Sequence, residues 1–251
     1  LKTQLEGTGV SVVNVTASEA TLAVMGPRSR AFLQGLTGAD LSNEAFPFGS
    51  FQDLHLGHAP VRAQRITYVG ELGWELHVPA EFAQQVFETV MAAEDAPRLC
   101  GGMAVDSCRI EKGFRHWGHD IGPYDSPVES GLAFACDFTT EFTGKAAIEA
   151  KRAEGAASRL LCFRLLDPEA LIFGKEPILR NGEIVGRLTS ASYGWTVEGA
   201  VGLGYVSRPE CATLKDPEQG SYQIKVAGKP VAATVSLRPL YDPKNSRMRG
   251  C

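Results

Sequence analysis

The sequence predicts an α+β protein in which an antiparallel sheet with covering helices precedes a small all-β part. In the first part, β-branched segments alternate with segments of helical periodicity. In the second part, turn-forming residues separate a series of short apolar segments, a pattern typical of a small barrel or sandwich. The stretch Gly155-Ala156-Ala157-Ser158 separates the two patterns. We therefore expect one domain at residues 1–157 and a second at residues 158–251.

The first part has clear start and stop signals for its elements. Gly26-Pro27 ends one strand and begins a helix, and Pro79 opens another helix. Thr143 is expected to cap a third helix. The expected strands are residues 10–15, 21–25, 51–56, 61–69 and 72–78. The expected helices are residues 28–36, a segment from Pro79 through Met91, residues 103–114 and residues 144–154.

The second part is expected to contain five short strands, at residues 160–166, 184–189, 200–206, 222–226 and 231–237. Turn-forming pairs such as Asn181-Gly182 and Gly228-Lys229 separate them. The glycines of 199–204 lie among these strands without a following helix. A Rossmann or P-loop phosphate site is therefore not expected.

Composition excludes several classes of function. The 251 residues carry a net charge of −4 and no basic run, so a nucleic-acid or anionic-membrane partner has no electrostatic support. No apolar stretch has the length of a membrane span. Six cysteines occur without a CxxC pair, which favours reduced, buried thiols in an intracellular protein. The chain starts at Leu1 rather than Met and shows no signal peptide, so we expect a fragment or a processed chain.

The segment 66–76 is the most informative for function. It predicts a strand, a turn between Gly70 and Gly73 that carries Glu71, and a second strand. A carboxylate in such an apolar setting can accept hydrogen bonds from the amino-pyrimidine edge of a ligand such as a pterin. Tyr68 and Trp74 can wall a flat heterocycle, and Glu75 would share the side of Glu71 if the strand continued through Gly73. The alternative is an ordinary β-turn whose glycines relieve backbone strain.

A second polar segment spans residues 106–120. Arg109 and Arg115 can bind a carboxylate tail or simply pair with Glu111 and Asp120 on a solvated face. His116 and His119 lack an HExxH pattern and a third ligand, so a metal site is not expected. A hydrolase that uses these two histidines with Asp120 is the last-ranked alternative, and no GxSxG nucleophile elbow is present.

Four motifs resemble one family. They are Tyr68-Val69-Gly70-Glu71-Leu72-Gly73-Trp74-Glu75, Asp106-Ser107-Cys108-Arg109-Ile110-Glu111-Lys112-Gly113, Ser126-Pro127-Val128-Glu129-Ser130-Gly131-Leu132 and Gly202-Leu203-Gly204-Tyr205-Val206. Together they resemble the aminomethyltransferase (glycine-cleavage T-protein) family. The similarity is greatest to its branch fused to flavin enzymes, the dimethylglycine and sarcosine dehydrogenases or oxidases, and the 237–243 tail resembles that branch too.

The resemblance implies a tetrahydrofolate-binding fold with a ferredoxin-like α+β part followed by a C-terminal β-barrel. It implies that Glu71 holds the pterin near Tyr68, and we expect Trp74, Glu75 and Arg109 to contribute to the same cofactor site. In the fused enzymes an N-methyl group is oxidised on FAD in a separate flavin domain, and the folate part captures the carbon as 5,10-methylenetetrahydrofolate. The expected partners are therefore folate and a flavin domain of the same parent chain. The expected location is bacterial cytoplasm or, in a eukaryote, the mitochondrial matrix.

The chain departs from the family pattern in two respects. Val105 stands where glycine-cleavage members carry a pterin-binding arginine. The family's catalytic aspartate is expected upstream of Leu1, so no catalytic residue is assigned, and neither Asp40 nor Asp53 takes that role. Two alternatives stay open: a non-catalytic module with the same fold, used for packing or another ligand, and a glycine-cleavage-type aminomethyltransferase.

Overall fold

The computed structural model describes residues 3–156, 158–207 and 217–250. The chain forms two compact units, one of residues 1–99 with 245–251 and the other of residues 100–244. These units group residues by contact, and the domain limits 1–157 and 158–251 remain a prediction. None of the helices in the described ranges combines the length and the apolarity needed to cross a bilayer.

The first unit is an antiparallel four-stranded sheet with helices. Its elements in chain order are β1 (Glu19–Met25), α1 (Ser29–Gln34), β2 (Phe51–Leu56), β3 (Ala59–Gln64), β4 (Gly73–Pro79), α2 (Ala83–Ala92) and α5 (Ser246–Arg249). The strand order is β1-β4-β3-β2, so β4 pairs with β1 on one side and with β3 on the other.

Buried and more exposed residues alternate along the strands, and the buried ones form the core of this unit. On β3 every second residue is buried, and on β4 Trp74, Leu76 and Val78 face inward. On α2, Val86 and Val90 lie four residues apart and are buried in the same cluster. A helical face therefore covers the sheet, as the sequence pattern predicted.

The second unit is built around a closed barrel. Its elements are α3 (Gly102–Glu111), α4 (Lys145–Glu154), β5 (Ser158–Leu165), β6 (Pro177–Arg180), β7 (Glu183–Gly194), β8 (Gly199–Ser207), β9 (Tyr222–Val226) and β10 (Lys229–Ser236). The barrel closes in the order β10-β5-β8-β7-β6-β9. Helix α3 is fastened to it at its middle and at its C-terminal end. The Ser107 hydroxyl donates to the Tyr193 carbonyl at 2.6 Å, and Glu111 accepts from the Thr196 amide at 2.7 Å.

The predicted fold class, a helix-covered antiparallel sheet followed by a small barrel, is confirmed. Four local predictions were wrong. The strand predicted at residues 61–69 ends at Gln64, and residues 65–72 form no strand, so the strand expected directly before the Glu71 turn is not formed. Residues 10–15 form no strand, because the segment is exposed and has no partner strand; Val13 is 74% exposed. Strand β6 was missed because its four residues give too short a pattern. Helix α4 is preceded by Gly144 in a left-handed conformation and has no side-chain cap from Thr143.

The position of Cys162 on β5 gives a prediction for thiol chemistry. Burial raises the pKa of its thiol to about 11. The thiolate is the reactive form, so at pH 8 only about one molecule in a thousand is reactive at Cys162. We expect iodoacetamide to label the exposed Cys100 much faster than Cys162 in the folded chain. Peptide mass spectrometry at pH 8 checks this. The two cysteines should be labelled equally in the urea-unfolded chain, and equal labelling in the native chain would contradict the prediction.

Candidate functional site

A cavity of about 590 Å³ lies within the first unit. Helix α1, the two turns around Pro27 and Ser42, the Glu71 turn and the C-terminal segment surround it. The residues that line it are Pro27, Arg30, Ala31, Gln34, Asp40, Ser42, Glu71, Leu72, Arg247 and Gly250. Its volume falls in the range of small-molecule sites.

The backbone around Glu71 is fixed to the start of α1. The Leu72 carbonyl accepts two hydrogen bonds, from the Gly26 amide at 2.7 Å and from the Ser29 hydroxyl at 3.0 Å. Gly70 has a φ of +79°, a conformation that favours glycine, and a Cβ on Gly73 would approach the Val24 carbonyl oxygen to 2.9 Å. The two glycines therefore allow the turn that brings Glu71 to the cavity.

Asn43 joins the cavity wall to the C-terminal segment. Its side-chain oxygen accepts from Arg30 Nη2 and, at 2.7 Å, from Arg65 Nη2. Its side-chain nitrogen donates to the Gly250 carbonyl at 3.4 Å, and Arg65 Nη2 also donates to the Arg249 carbonyl at 2.8 Å. Residues far apart in the sequence are thus held on one wall by one amide and one buried guanidinium.

The cavity carries charges of both signs. Glu71 and Asp40 provide carboxylates, and Arg30 and Arg247 provide guanidinium groups. Hydrogen bonds from Ser42, first from its amide, lower the pKa of Asp40 below its ordinary value, so this group is ionised at neutral pH. The side-chain amide of Gln34 is bound to the 37–41 loop, because its nitrogen donates to the Ala39 carbonyl at 2.7 Å. The cavity therefore suits a polar ligand that has both donors and acceptors.

The predicted cofactor residues occupy different environments. Glu71 lines the cavity, whereas Tyr68, Trp74 and Glu75 are not among the described residues that line it. Tyr68 is half-buried in the bend before Glu71. Trp74 is fully buried, packs edge-on against Phe46 and lies under the Arg65 guanidinium.

Glu75 is half-buried on β4, opposite Ala23 and Gln64. Because β4 begins at Gly73, the strand alternation that would relate Glu75 to Glu71 does not extend to Glu71. The ligand contacts expected of Tyr68, Trp74 and Glu75 stay predictions.

Arg109 belongs to a buried polar network in the second unit. The side chain is 2% exposed and donates from Nε to Asp106 at 2.9 Å, from Nη1 to Asp120 at 2.5 Å and from Nη2 to Ser190 at 2.8 Å. All three of its nitrogen atoms are therefore engaged by protein groups. Its expected role in cofactor binding stays a prediction.

His116 and His119 lie side by side, with ring centroids 4.4 Å apart. Asp120 does not orient either ring: its carboxylate accepts from Arg109, from the Thr189 hydroxyl at 2.5 Å and from the His116 backbone amide at 2.9 Å. Among the described residues, no group of three or more His, Cys, Asp or Glu side chains is arranged to hold a metal ion. This geometry gives no support to the hydrolase alternative.

Family models match both parts of the chain. The GCVT N-terminal domain matches residues 1–140, and the glycine cleavage T-protein C-terminal barrel domain matches residues 159–242. The chain belongs to the glycine-cleavage T-protein family. Among relatives of this T-protein-family chain, mouse sarcosine dehydrogenase is 43% identical over 91% of the chain, and rat dimethylglycine dehydrogenase is 34% identical over 97%.

The chain spans only about a quarter of these relatives, 26% of the sarcosine dehydrogenase and 28% of the dimethylglycine dehydrogenase. A solved structure, aminomethyltransferase T of the glycine cleavage system from Bartonella henselae, superposes with a TM-score of 0.75 at 24% identity. It covers 90% of this chain and 60% of that one. The structural likeness shows the fold.

Of the residues that line the cavity in this T-protein-family chain, sequence reasoning proposed only Glu71 as a ligand contact; the charged residues it missed include Arg30 and Arg247, and it also missed Gly250. Arg30 follows the Gly26-Pro27 signal that correctly predicted the start of α1. Its position on the first turn of that helix could therefore have been predicted. Arg247 and Gly250 carried no signal, because nothing in the sequence indicates that the C-terminal segment joins the first unit.

Proposed function

We propose that the cavity of the first unit binds the pterin ring of a reduced folate and that Glu71 accepts hydrogen bonds from its amino-pyrimidine edge. The observation that carries the proposal is the placement of Glu71 on a cavity of about 590 Å³. The backbone carbonyl of the following residue, Leu72, is fixed by two hydrogen bonds. A pterin presents its 2-amino group and ring N–H on one edge. A carboxylate can accept both in a bidentate manner.

The residues present fit such a ligand. The lining combines apolar contacts from Pro27, Ala31 and Leu72 with a small number of charged groups, as is usual for small-molecule sites. When bound, a reduced folate would supply the two nitrogens that accept a one-carbon unit. The part played by the chain is to orient the ring by Glu71 so that these nitrogens face the incoming carbon, which is a proximity effect.

The wider role follows from the relatives. We infer that the chain is the one-carbon transfer part of a sarcosine or dimethylglycine dehydrogenase-like enzyme and captures the carbon of an oxidised N-methyl group as 5,10-methylenetetrahydrofolate. The oxidation would use FAD in a flavin domain of the same polypeptide. The two mitochondrial dehydrogenases, which match this chain over about a quarter of their length, support this role and a mitochondrial-matrix location in a eukaryote.

Replacement of Glu71 by Gln tests the proposal. The amide keeps the size of the side chain but loses the charge and one acceptor, so a charge-assisted hydrogen bond is lost. We expect the Kd for 5-formyltetrahydrofolate, a reduced folate that resists oxidation, to rise about 10- to 100-fold in isothermal titration calorimetry.

The matched control is Glu81→Gln, a change of the same type at an exposed position of the same unit that does not line the cavity. It should leave the Kd unchanged, and urea denaturation should show that both variants are folded. Equal affinities of Glu71→Gln and the unsubstituted chain would show that Glu71 does not hold the ligand.

A non-catalytic module is the second candidate. Val105 favours it, because an aliphatic side chain on α3 replaces the guanidinium that the resemblance implies for pterin binding. Absence of any folate binding by the unsubstituted chain would support this alternative over the one-carbon role.

A further inference from the structure

Arg30 is a cation on the cavity wall with unused donors. The side chain is half-buried on the first turn of α1. Within the described ranges its one hydrogen bond runs from Nη2 to Asn43, and it forms no ion pair there. The buried Nε has no partner among these residues, and Nη1 donates to none of them. Of the five N–H donors of an arginine, the buried Nε cannot reach a ligand, so the donors available to one are those of Nη1 and the second N–H of Nη2.

The guanidinium is nevertheless held in a defined orientation. Its Nη2 donates a hydrogen bond to the side-chain oxygen of Asn43. The same amide also accepts from Arg65 and donates to the Gly250 carbonyl, so its position is fixed. Gly250 lies close to the group, because a Cβ there would come within 2.9 Å of Nη2 and 3.4 Å of Nη1. A half-buried cation that is positioned by neutral groups lacks the carboxylate that normally offsets its desolvation. Such a group favours an acceptor from a ligand.

We propose that Arg30 is a specificity-determining residue that donates a hydrogen bond to the carbonyl oxygen at C4 of the pterin. The inference rests on the proposed function, because Glu71 on the same cavity takes the donors of the ring. The 2-amino-4-oxopyrimidine has donors and an acceptor on adjoining positions of one ring. A carboxylate and a guanidinium that line one cavity match that order.

Two groups of a folate can accept from a guanidinium: the ring carbonyl and the carboxylates of the glutamate tail. The tail carboxylates lie beyond the aminobenzoyl group, and an extended folate is longer than a cavity of about 590 Å³ is wide. With Glu71 holding the ring, Arg30, which lines the same cavity, is therefore assigned to the ring carbonyl and not to the tail. A 4-amino analogue would place a donor against this donor, and an unpaired buried donor is costly.

The test compares tetrahydrofolate with tetrahydroaminopterin, which has an amino group in place of the oxo group at C4 and therefore lacks the N3–H, by calorimetry under argon. The measured quantity is the ratio of the two Kd values, because the more basic diamino ring also changes its interaction with Glu71. We expect Arg30→Met to reduce the preference for the 4-oxo ligand about 10-fold or more relative to the unsubstituted chain. Arg62→Met, an exposed arginine paired with Asp53 in the same unit, should leave the ratio unchanged.

Arg30→Gln provides a second variant that keeps a donor for Asn43, in case Arg30→Met does not fold. An unchanged ratio in a folded Arg30 variant would overturn the proposal. Equal weakening of both ligands would also overturn it, because it would assign Arg30 to a shared group such as the tail carboxylates.

Failure of the proposed function has a different signature. If tetrahydrofolate does not bind the unsubstituted chain, or if Glu71→Gln binds it as tightly, the proposed function and this inference fail together. If Glu71→Gln weakens tetrahydrofolate but the Arg30 variants keep the ratio, the proposed function stands and only the inference fails.

Discussion

Asp120→Asn is expected to destabilise the second unit by about 3–5 kcal/mol, because it removes one partner of a buried ion pair. Asp120 is 1% exposed and Arg109 is 2% exposed, so neither charge is solvated. The carboxylate accepts from Arg109, from Thr189 and from the His116 amide. An asparagine of the same shape has one acceptor instead of two oxygens with negative charge, and its NH₂ would face donors. Arg109 would keep only the partly exposed Asp106 as a charged partner.

Urea denaturation followed by circular dichroism measures the change in free energy of unfolding. Glu141→Gln is the matched control, since it breaks the Lys145–Glu141 pair of the same unit, in which Glu141 is 90% exposed. A surface ion pair of this kind contributes about 0–1 kcal/mol. If the two variants lose similar stability, the buried network does not contribute as its geometry indicates.

This network also shows why the sequence alone left Arg109 with two interpretations. An arginine three residues after an aspartate on a helix is compatible with a solvated ion pair or with a ligand contact. The choice depends on Asp120 and Ser190, which are 11 and 81 residues away in the chain. Loop and barrel geometry bring them together, and neither leaves a local pattern.

The turn that carries Glu71 was predictable because its signals are local. Glycines at 70 and 73 lie on either side of it, and the apolar alternation of β4 follows directly. The same local signals could not tell whether Trp74 is exposed. An aromatic residue at an alternating position can face the core or a ligand, and here the packing of Phe46 and Arg65 around it places it in the core.

The rest of the candidate site could not be predicted because it depends on a long-range return of the chain. Arg30 and Glu71 are 41 residues apart, and Gly250 joins them from the other end of the sequence. Asn43, an exposed-loop residue by composition, connects these parts through hydrogen bonds that no periodicity predicts. Fold class thus follows from periodicity and turn signals, whereas the cavity lining follows from tertiary contacts.

Gly186→Ala is expected to be the most damaging single-methyl addition in the barrel. Gly186 lies on β7 opposite Val206 of β8. A Cβ at this position would overlap the Tyr205 carbonyl oxygen and would lie 2.9 Å from the Tyr205 carbonyl carbon and 3.2 Å from the Val206 Cα. These neighbours are backbone atoms, so no side chain can rotate away to make room.

Relief would require β7 and β8 to separate, and both strands are paired on their other edges within a closed barrel. We therefore expect a loss of about 3 kcal/mol, at the upper end of the cost of overpacking. The matched control is Gly102→Ala at the exposed start of α3, where a Cβ meets nothing within 4 Å. Alanine is the better helix former, so the control should be neutral or slightly stabilising. Urea denaturation of both variants decides the matter: a Gly186→Ala chain as stable as the Gly102→Ala chain would mean that β7 and β8 can separate at this position at little cost.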